Sequence, residues 1–253
     1  MAFETNIFLI IITFFVTFGA SIVSGLSGAG GGFIITPFLI FIGMTPAQAV
    51  STGKVGGVGS AIGALGAFRG KQLIHKKLVY PLMAITLVAS VAAAFVIPHI
   101  DPTVFQVVIG VLLIVMIPSL FIKKESVHYS TRGNKFLGFL YAIYGVLAFL
   151  QATLGTGLAT FITLLLMFGF GLRALEANAT KRAVQIIQSL IVAGLTALQG
   201  LVLLWYAVAN ILGAILGSFV GSKLAIKGGD KVVKIFLAAF MLVSGVVLLI
   251  TAA

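Results

Sequence analysis

Gly25-Leu-Ser-Gly-Ala-Gly-Gly-Gly-Phe33 recurs in reduced form as Ala152-Thr-Leu-Gly-Thr-Gly-Leu-Ala-Thr-Phe161. The sequence around it repeats as well. Ala49-Val-Ser-Thr-Gly-Lys54 answers Ala177-Asn-Ala-Thr-Lys-Arg182, Phe68-Arg-Gly70 answers Leu198-Gln-Gly200, and Asp101 answers Asp230, at offsets between 127 and 130 residues. A duplicated hydrophobic unit with glycine-broken segments at matching positions is the sequence mark of a secondary transporter, and the breaks point to its binding site. The pattern predicts one all-α transport domain. Its repeats are residues 1–122 and 136–253, joined by a basic cytoplasmic linker at 123–135.

Composition supports an integral membrane protein. The 253 residues are 60% hydrophobic and 8% charged, with mean hydropathy +1.24. Soluble domains carry roughly 25% charged residues, so this chain lacks the polar surface for water. The net charge of +11 would suggest nucleic acid in a soluble protein. Here the bases fall mostly in loops and act as orientation signals, so the lipid bilayer, not nucleic acid, is the expected partner. With no cysteine, disulfides and thiolate metal sites are excluded. The N-terminus lacks a basic leader region, and the first apolar run is expected to be retained as a helix.

Apolar runs near the ~20 residues of a span fall at about 7–26, 31–43, 46–68, 77–97 and 103–122, then at about 136–152, 157–171, 175–198, 203–226 and 231–252. Arg69, Lys71, Lys76 and Lys77 form one basic cluster, and Lys123, Lys124, Arg132 and Lys135 another. Arg173 stands alone, while Lys223, Lys227, Lys231 and Lys234 form the last cluster. The alternate connections carry no Lys or Arg. With basic loops cytoplasmic, both termini lie outside, and an odd number of segments per half inverts the second repeat. The run at 31–43 gives only ~20 Å of helix. It and 157–171 are therefore candidates for re-entrant half-helices, leaving eight or ten crossings.

Three bases remain inside segments: Lys54, Lys181 and Arg182. Lys54 and Arg182 occupy equivalent positions about two turns into their helices, ~12 Å from the start. Charge at such depth is expensive and marks ligand or ion pathways. Glu176 is near enough to pair with Arg173 or Lys181, but no acid lies within two turns of Lys54. The positive balance calls for an anionic substrate; snorkelling to the interface is the competing account. Asn178, Lys181, Arg182, Gln185, Gln188 and Ser189 follow steps of three or four, so they share one face of the eighth segment. That face lines a cavity or supplies interhelical hydrogen bonds. The third segment carries Gly53, Gly56, Gly57, Gly59, Gly63 and Gly66, expected as a packing surface.

Gly28, Gly30 and Gly31, with Gly155 and Gly157 in the other half, permit left-handed turns. Such breaks expose helix N-termini that bind anions, with Ser27, Thr153 and Thr156 as added hydroxyl donors. A glycine-mediated helix crossing without ligand is the alternative. No strand precedes the motif and its spacing is not that of a phosphate loop, so no cofactor is expected.

The run Gly28-Ala-Gly-Gly-Gly-Phe-Ile-Ile-Thr-Pro37, followed by Gly43, Ala49, Thr52 and the basic loop after Gly70, resembles the sulfite exporter TauE/SafE family. Gly155, Gly157, Ala177, Thr180 and the ladder Gly213, Gly217, Gly221 are similar to its C-terminal repeat. The second half departs at Leu158 and Ala159, which replace glycines, and at Leu164 or Leu165, where proline would fall. The resemblance implies a bacterial or archaeal inner-membrane permease for sulfite, sulfonates or related organosulfur anions.

The expected function is a carrier working by alternating access. Lys54, Arg182 and the glycine breaks hold the anion, with Thr52, Thr180, Asn178, Gln185 and Lys181 around it. An anion channel and a non-transporting assembly protein are the alternatives, and a homo-oligomer is compatible with either. An enzyme is disfavoured, because no segment holds paired carboxylates, a Ser–His pair or a zinc motif.

Overall fold

A computed structural model describes residues 6–28, 30–99, 134–154 and 158–252, all in helices or short connections, with no strand among them. In chain order these are α1 (Ile7–Ser27), α2 (Gly32–Phe41), α3 (Pro46–Phe68) and α4 (Lys76–Val96), the last ending in a 3-10 turn, Ile97–His99. Then come α5 (Asn134–Leu154), α6 (Ala159–Leu164) with a π-helical turn Leu165–Gly169, α7 (Ala174–Leu198) and α8 (Leu204–Ala252). Helix bounds fall within two residues of the apolar runs. The last two runs form one helix broken at Gly229, whose φ of 64° and ψ of −165° interrupt it. The run at 103–122, the linker residues 123–133, Thr156, Gly155 and Gly157 lie outside the described residues.

Local chemistry sets the helix ends. Asn6 Oδ1 accepts the Phe8 amide at 2.9 Å and opens α1. Thr45 and Gln48 form a reciprocal cap at α3 just before and after Pro46, whose missing N–H costs nothing in a first turn. At the end of α1, Gly28 takes φ +73°, a conformation open to glycine. The Gly28 amide still donates to the Ser24 carbonyl at 2.9 Å, and α2 starts four residues later.

Among the described residues, four helices are long and apolar enough to cross a membrane: α1, α4, Phe136–Leu154 and Leu204–Gly229. The 21 residues of α1 span ~30 Å, the thickness of a hydrocarbon core. The 10 residues of α2 reach about half of that. Exposure follows the membrane pattern. Phe15, Leu87, Val88, Phe95, Phe139 and Leu216 face outward, whereas Thr13, Thr17, Ser21, Ser24, Thr86 and Ser90 are buried. The molecule is apolar outside and partly polar within.

Glycines decide which helices touch. Gly213, Gly217 and Gly221 of α8 receive the α1 backbone at Phe14, Phe18 and Ile22, and Gly25 of α1 meets Ser218 of α8 in return. Gly59 and Gly63 of α3 abut the carbonyls of Ile211 and Ile215, also on α8. Small residues thus let backbones approach where no hydrophobic drive between helices exists. On the other side α4 packs against α5 and α7, and α3 and α7 pack together at the centre.

Candidate functional site

The two central helices carry the buried cations. Lys54 on α3 is 7% exposed, Lys181 on α7 3%, and Arg182 on α7 0%, so none of them snorkels. Glu176, the one carboxylate whose side chain is described, is not their partner. It accepts the Arg173 amide at 3.0 Å and lies 3.5 Å from His75 Nε2. The expected local pair of Glu176 with Lys181 therefore does not form, because Lys181 turns toward α6.

The cations bind helix-end carbonyls instead. Lys54 Nζ donates to the carbonyl of Gln151, in the last turn of α5, at 2.6 Å. Arg182 Nη2 donates to the carbonyl and hydroxyl of Ser24, in the last turn of α1, each at 2.6 Å. Its Nη1 donates to Ser60 Oγ at 2.8 Å and Gln185 Oε1 at 3.1 Å. The C-terminal end of a helix carries partial negative charge, so a cation there is favourably placed. Lys181 Nζ makes longer bonds, 3.2 Å to Thr163 Oγ1 and 3.4 Å to the Ala159 carbonyl.

Beside Lys54 is a partly open cavity with about 50 Å³ of water-accessible space. Its wall includes Ser21 of α1, the N-terminal approach to α2 (Gly30, Gly31, Gly32), Thr36, and Gly53, Gly56, Gly57 and Ser60 of α3. Gln151, Ala159, Gln185, Gln188 and Ser189 close it, and no carboxylate lines it among the described residues. Helix α2 has no side-chain cap, so its first N–H groups are available to an anion. Gly30 adopts φ +86°, and a Cβ there would lie 3.0 Å from that of Ala159. Glycine is thus required to bring the backbone to the wall.

Of the residues singled out in the sequence, Lys54, Gln185, Gln188, Ser189, Gly30, Gly31, Gly53, Gly56 and Gly57 line this cavity. Arg182, Lys181, Asn178, Thr52, Thr180 and Gly28 are not among the residues that line it. Arg182 holds Ser60 and Gln185 in place. Asn178 Nδ2 donates to the Gly25 carbonyl at 3.0 Å and presses on Gly28. Thr52 Oγ1 accepts the Leu203 amide and Thr180 Oγ1 the His75 amide, both at 3.2 Å. Ser27 and Thr153 donate back to carbonyls of their own helices, at Val23 and at Phe149 and Leu150. The glycines of α3 divide as well: Gly59 and Gly63 pack on α8, whereas Gly53 and Gly57 open onto the cavity.

Sequence reasoning missed Ser21, Ser24, Thr36, Ser60 and Gln151. One signal was present: Ser24 and Gln151 stand 127 residues apart, close to the offset of 128 that relates Lys54 to Arg182.

Lipid-facing helices around a buried, cation-bearing polar cavity define a multi-pass membrane transporter. The family described as Sulfite exporter TauE/SafE matches residues 13–248, and the chain belongs to it. A "Probable membrane transporter protein" of Haemophilus influenzae is 25% identical over 247 residues, 96% of each chain. The "Probable membrane transporter protein YfcA" of Escherichia coli is 24% identical over 88% of this chain and 83% of its own length. The "Probable membrane transporter protein ORF9" of Sinorhizobium sp is 24% identical over 92% and 88%. No solved structure matches the chain.

Proposed function

We propose that this protein is a secondary carrier of small sulfur-containing anions, such as sulfite or a sulfonate, working by alternating access in a bacterial or archaeal inner membrane. The observation that carries this is the cavity shared by the Lys54 ammonium and the uncapped start of α2, with no carboxylate in its wall among the described residues. An anion there gains a charge-assisted hydrogen bond and the positive end of a helix dipole. The family description supports sulfite as the first anion to try.

Two halves of opposite topology, with both termini outside, account for the paired contacts. Under the repeat offset, Lys54 with Gln151 exchanges with Arg182 and Ser24, and Thr52 with Leu203 exchanges with Thr180 and His75. Packing exchanges in the same way: α1 on α8 answers α5 on α4, and α3 on α8 answers α7 on α4. Rocking such halves about the α3–α7 contact opens the cavity to one side and then the other. Outward movement of an anion is favoured by an inside-negative potential, ~2.3 kcal/mol per charge per 100 mV, and needs no coupling ion.

The test is thermal stabilisation of the purified protein by sulfite, methanesulfonate and sulfate, with wild type beside Lys54→Ala. Stabilisation by a sulfur anion in wild type and its loss in the variant is the expected result. Equal stabilisation of both proteins would move the site away from Lys54, and saturation kinetics of uptake into proteoliposomes separate a carrier from a channel.

A further inference from the structure

The cavity beside Lys54 offers more than donors. Lys54 Nζ uses one of its three N–H donors on the Gln151 carbonyl, and the uncapped start of α2 adds backbone N–H groups. Thr36 and Ser189, both buried, bring hydroxyls to the same wall. All of these suit the oxygens of an anion. Three glutamines line the cavity as well, and they differ in what they have left to give.

Gln185 is engaged at both ends: its Oε1 accepts from Arg182 Nη1 at 3.1 Å, and its Nε2 donates to the Gly57 carbonyl at 3.3 Å. Gln188, 3% exposed, is engaged at one end. Its Nε2 donates to the Ala148 carbonyl of α5 at 3.0 Å. A carbonyl only accepts, so this bond fixes which end of the amide is nitrogen. Gln188 Oε1 is left with no donor among the described residues. The side-chain amide of Gln151, 9% exposed, has no partner among them at either end.

A bare oxyanion has no use for the Gln188 carbonyl. It sets oxygen against Oε1, or leaves Oε1 unpaired once the cavity is filled. A site that buries an unpaired polar group rejects the ligand that fails to match it. Space restricts the choice further. The roughly 50 Å³ of water-accessible space equals about three to five waters at about 10–15 Å³ each.

We propose that Gln188 is a specificity-determining residue whose Oε1 accepts a hydrogen from the transported anion. The carrier then selects a compact anion bearing an O–H or N–H over one without it. Hydrogen sulfite carries such a hydrogen, whereas sulfate and methanesulfonate at neutral pH do not. Lys54 and the start of α2 hold the anion's oxygens, Gln188 takes its hydrogen, and Gln151 presents whichever end of its amide the remaining atom needs. The proposal rests on the transport function above and names the hydrogen-bonding chemistry of its substrate.

The experiment compares sulfamate with methanesulfonate, two singly charged anions of nearly equal size that differ in carrying NH2 or CH3. Isothermal titration of the purified full chain reads both affinities. Wild type binds sulfamate at least about tenfold more tightly, the effect of one hydrogen bond to an otherwise unpaired buried group. Gln188→Met removes the amide with little change of volume and brings the ratio to about one, whereas a purely structural loss weakens both anions alike. Gln188→Asn, which withdraws the carbonyl by one methylene, also lowers the ratio and keeps the test valid if Gln188→Met does not fold. Equal wild-type affinities, or a wild-type ratio in the variants, overturn the role of Gln188. Both anions still bind in that case and are lost in Lys54→Ala, so the Lys54 site stands. Failure of wild type to bind sulfamate, methanesulfonate and sulfite alike overturns the transport function and this inference together.

Discussion

Lys54 Nζ rests 2.6 Å from the carbonyl oxygen of Gln151, so a buried cation closes the end of a helix from the opposite half of the chain. Arg182 does the same for Ser24 at the end of α1. A broken helix inside a bilayer leaves carbonyls that water cannot reach, each costing several kcal/mol if unpaired. Fixed cations at these ends satisfy the carbonyls and keep positive charge in the interior. The two cations differ in what remains for a ligand. Lys54 makes one hydrogen bond and faces the cavity, whereas Arg182 makes four, one of them to a helix-end carbonyl, and does not line it.

Arg182→Ala is therefore expected to act on stability first. It leaves the neutral acceptors of Ser24, Ser60 and Gln185 without this donor, a loss of about 1–3 kcal/mol for each buried group left unpaired. Thermal unfolding in detergent measures it, and Arg182→Lys, which cannot reach both directions, recovers only part. A variant as stable as wild type would contradict this role.

Lys54→Ala should separate binding from folding. Loss of one charge-assisted bond to the anion weakens affinity by about 1.5–3 kcal/mol, roughly 10- to 150-fold in Kd. The stability loss stays below that of Arg182→Ala. Isothermal titration with the stabilising anion, beside the melting curves, checks both halves of the statement.

Thr52→Val and Thr180→Val remove matching links between the halves. Each leaves a backbone N–H without its acceptor, at Leu203 and His75 respectively, a loss of about 1–3 kcal/mol. Hydrogen exchange should report the effect across the repeat. Protection falls at 203 in Thr52→Val and at 75 in Thr180→Val, while Ser at either position retains it.

Gly217→Ala and Gly19→Ala should differ in sign. A Cβ at Gly217 would run into the Phe18 carbonyl oxygen, forcing α1 off α8 at about 1–3 kcal/mol. Gly19 has open space around it, and alanine there should stabilise the helix by about 0.5–1 kcal/mol. Melting temperatures of the two variants in one detergent decide the matter.

Much of the architecture was legible from punctuation and charge. Pro46 after Thr45 marks the start of α3, and Gly28 marks the end of α1, because both act through local backbone geometry. The depth of Lys54, Lys181 and Arg182 inside apolar runs left burial or snorkelling open, and the fold buries all three. The expected ring of ligands was only partly assembled: Thr52, Thr180 and Asn178 bond to backbone groups of other helices. Their residue types suited either use, and only the identity of the facing helix chose between them.

What the sequence determined by itself was the solvent, the bounds of the described helices and the family, since these depend on hydropathy, local conformation and residue identity alone. The tertiary structure decided that Lys54 faces the cavity while Arg182 does not line it. That division depends on which backbones the glycines of α3 and α8 admit, and on where the ends of α1 and α5 then fall. Contacts between residues more than ninety positions apart have no local signature, so no single segment could announce them.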